Sequence, residues 1–135
     1  MMGGRQDDSF EEAYRELFLR AARVAYRVLG DRAAAEDVAA EALARAYAHW
    51  PRISDLSYRD GWVLRVASNL AIDATRRRPL AAAMASDPLD SAEAATLRLA
   101  LVEALRSLPR RQRQAVVLRY LSGLRADEVA AALGV

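Results

Sequence analysis

The stretch NLAIDATRRR, residues 69–78, gathers an amide, a carboxylate and three guanidiniums within about three helical turns. On a helix Asn69, Asp73, Arg76 and Arg77 stand three or four residues apart and share one edge, with Arg65 one turn earlier and Arg78 just beyond. Guanidinium forks clamp phosphate oxygens and an amide hydrogen-bonds a base edge, so this edge carries the chemistry for holding a nucleic-acid strand. Tyr58, Arg59 and Trp62 open the same segment, and ring faces interleaved with cations are what hold the unstacked bases of a single strand. A purely structural reading stands beside this one. Arginines in a last turn suit the negative end of the helix dipole whether or not a ligand is present, Asp73 can pair with Arg76 or Arg77, and Trp62 falls on an apolar stripe.

Two further patterns carry chemistry. DRAAAEDVAAEALARAYAHW, residues 31–50, sets Asp31, Glu36, Asp37 and Glu41 on one outer face, with Arg45 four residues beyond Glu41. Such a face is either solvated or docked against a basic partner helix, whose approach the many alanines leave open and whose orientation the charges would set. RADEVAAALGV, residues 125–135, begins with Arg125 and places Gly134 four residues after Ala130. A DNA-binding helix-turn-helix uses that spacing, a small residue where its helices cross and a glycine for the sharp turn. Asp127 and Glu128 suit the positive helix start, and Val129, Leu133 and Val135 fall where apolar contacts are needed. A helix that merely finishes in glycine gives the same letters.

Catalysis finds no footing. His49 is the only histidine and has no second ligand or acid near it in sequence, cysteine is absent, and no phosphate-cradling glycine loop or nucleophile elbow occurs. The expectation is a non-enzyme with no metal and no cofactor.

The elements that must position these residues are all helical. Ser9 and Glu12 have the spacing of a capping box, after which Phe10, Tyr14, Leu17, Phe18, Ala21, Val24, Ala25 and Val28 recur on one face until Gly30. Asp31 is placed to cap a second helix with Ala35, Val38, Ala39, Ala42, Ala46 and Trp50 inward, stopped by Pro51. PRISDLS reads as a loop. A third helix is predicted from Tyr58 to Arg78, with Trp62, Val66, Leu70 and Ala74 on one line and Val63, Ala67 and Ile72 flanking. Residues 9–78 thus form one three-helix unit. Residues 79–91, with two prolines, read as a linker. Beyond it, Asp90 and Glu93 offer another capping box, and Ala94, Leu97, Leu101, Leu105 and Leu108 mark a stripe. Pro109 suits the first turn of a helix carrying Val116, Val117, Tyr120 and Leu121, and Leu124 opens the closing stretch. No period-two alternation persists, so the fold class is all-α, two small helical domains joined by a linker over residues 9–78, 79–91 and 92–135.

Composition fits a folded chain: 53% of the 135 residues are hydrophobic. Residues 1–57 carry 8 arginines against 10 carboxylates, whereas residues 98–135 carry 7 against 3, and lysine is absent. An acidic front and a basic rear point to two different partners. No apolar run nears the roughly 20 residues needed to span a bilayer and no signal core is present, so a cytoplasmic protein without membrane insertion is expected.

Taken in order, these pieces resemble the extracytoplasmic-function (ECF) sigma factors of bacterial RNA polymerase, in the sigma-70 family. GDRAAAEDVAAEALARAYAHW looks like the polymerase-binding helix of region 2, GWVLRVASNLAIDATRRR like its promoter-melting and recognition helix, and LVEALRSLPRRQRQAVVLRYLSGLRADEVAAALGV like the opening of region 4. The resemblance implies a factor that binds core RNA polymerase and recognises and melts the minus-ten element, with an anti-sigma factor as a further partner. It places Glu36, Asp37 and Glu41 on the polymerase clamp helices and Asn69, with the PRISDLSY loop, around a flipped base, with Arg65, Arg76 and Arg77 on the backbone. Arg110, Arg111, Arg113, Arg119 and Tyr120 would lie near the polymerase flap and upstream DNA. In the family an arginine-rich recognition helix follows the position of Val135, so region 4 reads as truncated, with Val129, Leu133 and Val135 expected to lack a cover and residues 92–135 expected to be poorly ordered on their own. A helical adaptor that binds polymerase or an anti-sigma protein without promoter recognition is the alternative.

Overall fold

The computed structural model describes residues 2–77 and 91–135. The described residues form seven helices: α1 (Met2–Leu29), α2 (Arg32–Ala48), α3 (Trp50–Ile53), α4 (Arg59–Arg77), α5 (Ala92–Ser107), α6 (Arg110–Val116, continued by a π-helical turn Val117–Leu121) and α7 (Ala126–Leu133). None is long and apolar enough to cross a membrane. Arg78 and residues 79–90 of the expected linker lie outside the described residues.

Helices α1, α2 and α4 pack on one another as the core of the first unit. Their seam is made of small side chains, Ala21 and Ala25 on α1, Ala35, Ala39, Ala42 and Ala46 on α2, and Ala67 and Ala71 on α4, all essentially without exposed surface. Alanine at a crossing lets helix axes approach at the short end of the usual range. Larger residues close the ends. Leu17, Leu43, Leu64, Ile72 and Trp50 are fully buried, each contributing about 1.5–3 kcal/mol of transfer free energy. Trp50 meets Phe10 edge-on at 5.2 Å and carries the Arg59 guanidinium over its face at 5.5 Å.

The helix ends follow local chemistry, with some departures from expectation. Asp31 caps α2 by accepting from the Ala34 N–H at 3.1 Å, as expected. Ser9 caps nothing, because α1 already runs through it from Met2. Pro51 sits in the first turn of α3, where its missing N–H costs nothing, while α2 ends at His49. At α5 the cap is Ser91, accepting from the Ala94 N–H at 3.0 Å.

Two apolar stripes are turned from their expected setting. In α4 the buried face is Val63, Leu64, Ala67, Ala71 and Ile72, and the line of Trp62, Val66, Leu70 and Ala74 is only half-buried. In α5 the buried residues are Ala95, Val102 and Leu105, with Leu97 65% exposed. The π turn after α6 adds a residue to the helical repeat, so Val117 and Leu118 go inward and Tyr120 is 73% exposed.

Candidate nucleic-acid interface

Helix α4 is the hub. One face belongs to the core, and the adjoining face meets the second unit, because α7 and the turn before it lie along α4. Gly61 makes this approach feasible: a Cβ there would stand 2.9 Å from Ala132 Cβ and 3.7 Å from Leu124 Cδ1. Val129, Ala132, Leu133 and Leu124 are buried as a result. The cover expected to be missing from Val129 and Leu133 comes from within the described residues, whereas Val135 is 80% exposed.

The predicted strand-binding residues divide among several surroundings. Asn69 is half-buried and its Oδ1 accepts from Gln114 Nε2 at 3.1 Å. Arg65 donates from Nη1 to the Ala132 carbonyl at 3.2 Å. Tyr58, Trp62 and Arg65 line one side of a cleft of about 450 Å³, and Ala131–Gly134 line the other. Arg59 bonds Asp60 at 3.0 Å, and Asp60 also takes Arg20 at 3.0 Å, so Arg59 is tied into the start of α4 beside Trp50. Arg76 and Arg77 are exposed in the last turn, and Arg76 lies 3.7 Å from Asp73, the pairing that the spacing allowed. Trp62 is half-buried, with its ring 5.4 Å from that of His49, whose Nδ1 is 2.9 Å from the Arg45 carbonyl.

On α2 the acidic residues stand opposite the alanine seam. Glu36, Asp37 and Glu41 are exposed; Glu41 holds Arg45 at 3.0 Å and Glu36 lies 3.7 Å from Arg32. Asp31 differs in being half-buried and engaged as the helix cap.

The helix-turn-helix candidates end α7 in a left-handed glycine. Gly134 has φ 75°, its N–H reaches the Ala131 carbonyl at 3.2 Å, and the Val135 N–H reaches the Ala130 carbonyl at 2.9 Å, the paired bonds of a Schellman termination. Arg125 is exposed at the other end, bonded to Asp127 at 3.1 and 3.3 Å. This contact holds the Asp127 carboxyl below its ordinary range and raises the Arg125 guanidinium. The Arg125 N–H is taken by the Glu128 side chain at 2.9 Å.

Sequence reasoning missed Gln114 and Arg27, and placed Arg111 only near the polymerase flap and upstream DNA. Gln114 is buried against Asn69; Arg111 donates to the Leu133 carbonyl at 2.6 Å, and Arg27 to the Leu121 carbonyl. The one available signal was Gly61, a glycine inside a helical pattern, which often marks a close backbone approach. Among the described residues no cluster of three or more metal-ligating side chains occurs.

Comparison with known proteins finds two family matches along the chain. Residues 13–79 match the family description "Sigma-70 region 2" and residues 98–135 match "Sigma-70, region 4". The chain is 35% identical over 133 residues to the RNA polymerase sigma-E factor of Streptomyces coelicolor, covering 93% of this chain and 73% of that protein. It is 33% identical to the ECF RNA polymerase sigma factor SigE of Mycolicibacterium smegmatis, covering 94% of this chain and 54% of the relative. The ECF RNA polymerase sigma factor SigL of Mycobacterium tuberculosis is 32% identical over 123 residues, with 84% and 70% covered. Both regions in their proper order favour a sigma factor over an adaptor. The chain belongs to the sigma-70 family, as an ECF sigma factor of RNA polymerase acting in transcription initiation.

Proposed function

We propose that residues 9–78 bind core RNA polymerase through the outer face of α2 and receive the minus-ten element along the edge of α4, and that residues 92–135 form the second, upstream-facing unit. The observation that carries this reading is the two-sidedness of α2. Its inner face is fixed by buried alanines, so Glu36, Asp37 and Glu41 stand on a rigid support at the solvent side. Carboxylates held this way suit a basic helical surface on the polymerase, with Arg32 and Arg45 as movable counter-charges that a partner's arginines or lysines would displace. Asp31 supports that face as its cap.

On α4, Asn69 offers the amide that a flipped base requires, and Arg65, Arg76 and Arg77 would take backbone phosphates, with Tyr58 beside them. Unstacking a base costs a few kcal/mol, to be offset by those contacts. In the closed arrangement Gln114 occupies Asn69 and the Ala132 carbonyl occupies Arg65, so strand entry requires the two units to separate. An anti-sigma protein is proposed to compete for the α2 face. The deciding experiment is binding to core polymerase by the chain and by the Glu36→Arg, Asp37→Arg, Glu41→Arg triple variant. Loss of binding in the folded triple variant supports the reading, and undiminished binding overturns it.

A further inference from the structure

Between α2, α4, α6 and the end of α7 lies a half-open cavity of about 540 Å³. Four guanidiniums line it, Arg45 and Arg65 from the first unit and Arg110 and Arg111 from the second, against the single carboxylate of Asp73. Among the described residues, only Arg45 of the four has a carboxylate partner, Glu41. Arg65 and Arg111 end on the carbonyls of Ala132 and Leu133, which orient the forks, and no carboxylate among the described residues compensates their charge. Asp73 is itself drawn to Arg76. Closing the two units therefore brings like charges from both into one space.

The remainder of the lining is specific in another way. The Asn69–Gln114 amide pair crosses the site, leaving the Asn69 amide hydrogens and the Gln114 oxygen free to meet a polar ring edge. Val66, Leu70 and Leu133 supply an apolar wall for a flat ring. The volume falls within the range of small-molecule sites, and arginine forks match phosphate oxygens in two-point geometry.

We infer that this cavity binds a nucleotide carrying two or more phosphates, which bridges Arg65 to Arg110 and Arg111 and holds the two units closed. The inference stands apart from the polymerase-docking reading, since it requires only the closed chain. The phosphate chemistry is shared by two sources, a free nucleotide and the backbone of a nucleic-acid strand, and they differ in consequence: the nucleotide joins the units, while a strand along α4 must part them.

Isothermal titration of the full chain with ATP, with tripolyphosphate and with a single-stranded oligothymidylate tests this. Arg110→Glu is the chief variant, because Arg110 is exposed and without a carboxylate partner among the described residues, and Arg106→Glu, outside the cavity, is the control. Expected are saturable binding of ATP and tripolyphosphate, a loss of about tenfold or more in Arg110→Glu, as for one charge-assisted contact, little change in Arg106→Glu, and a rise in melting temperature with ATP. Binding of the oligothymidylate alone, equal losses in both variants, or no binding of ATP or tripolyphosphate by the folded chain would each overturn it.

Discussion

Substitution of Gly61 tests the closed arrangement without touching the first unit's core. The three atoms nearest a Cβ at this position are Ala132 Cβ at 2.9 Å, Leu124 Cδ1 at 3.7 Å and Ala132 Cα at 3.9 Å, all in the second unit. Carbon pairs rest at about 3.5–4.0 Å, so the methyl of Gly61→Ala is overpacked against Ala132 by more than half an ångström. Overpacking of this kind costs about 1–3 kcal/mol. Alanine also favours the helix by about 1 kcal/mol over glycine, but α4 is helical whether the units are together or apart, so that gain cancels from the equilibrium between them. The clash exists only in the closed state and shifts the equilibrium toward the open one by roughly 5- to 150-fold. Gly61→Leu extends the clash and should open the pair outright. Because the chain has no cysteine, spin labels at Arg23→Cys and Gln112→Cys, both exposed positions on the two units, report the separation directly. A broad, lengthened distance distribution in Gly61→Leu, with far-UV helicity retained, is the expected result. An unchanged distribution in Gly61→Leu would refute the argument that the bare Cα of this glycine is what admits α7.

Three other outcomes follow from the same geometry. Trp50→Ala removes a fully buried ring that Phe10 and Arg59 both contact, and chemical denaturation should show a loss of about 3–5 kcal/mol. Gly30→Ala combines a left-handed φ of 67° with a collision against the Arg98 guanidinium, whereas at Gly134, φ 75°, no atom lies within 4 Å of the added Cβ; thermal melts should therefore show the larger loss at Gly30, with Gly134→Ala limited to about 1 kcal/mol of backbone strain. The Asp127 carboxyl is depressed by its bonds to Arg125, so its support of α7 is present above the ordinary aspartate range and lost as pH falls through its lowered pKa; carboxyl chemical shifts should give a midpoint below that of a free aspartate, returning toward it in Arg125→Ala.

The alanine seam of α2 was legible because a helix buried on one side declares its period, and Ala35, Val38, Ala39, Ala42 and Ala46 are all inside as the spacing required. The acidic face was legible for the same reason, as the complement of that seam. The setting of α4 was not, because this helix is covered on two faces and its apolar residues occupy more of its circumference than one stripe. Trp62, Val66 and Leu70 looked like the middle of the buried face and are in fact its margin, turned toward the second unit. The same blindness hid Gln114: a glutamine in RRQRQAVV reads as surface until the partner Asn69, 45 residues earlier, is placed beside it. In α5, Leu97 and Leu101 formed a plausible stripe, yet the helix touches its neighbours through Ala95, Val102 and Leu105. Periodicity finds a face and cannot tell which apolar residues beside it will be used.

On the proposed reading one helix serves two competing roles, and the competition has a magnitude. Opening the edge of α4 to a strand exposes Val129, Ala132 and Leu133 along with Leu124. At about 1.5–3 kcal/mol for each large side chain fully uncovered, and with the denatured-chain reference making that an upper bound, separation costs several kcal/mol before any base is unstacked. The edge itself returns little of this, since Asn69 and Arg65 exchange existing hydrogen bonds for new ones, and such exchanges are worth about 1 kcal/mol or less each. The proposed phosphate contacts by Arg65, Arg76 and Arg77 would be salt-dependent and modest one by one. A partner that binds the open form better than the closed one has to supply the difference, and the α2 face is connected to the cavity by Arg45, which lines the cavity and pairs with Glu41. Drawing Glu41 onto a basic partner would release Arg45 into a cavity that already holds three guanidiniums with no carboxylate partner among the described residues, which raises the repulsion across the closed interface. If the proposed docking at α2 and opening at α4 are linked through that one ion pair, Glu41→Gln alone should weaken closure, and a spin-label distance unaltered by Glu41→Gln would break the link.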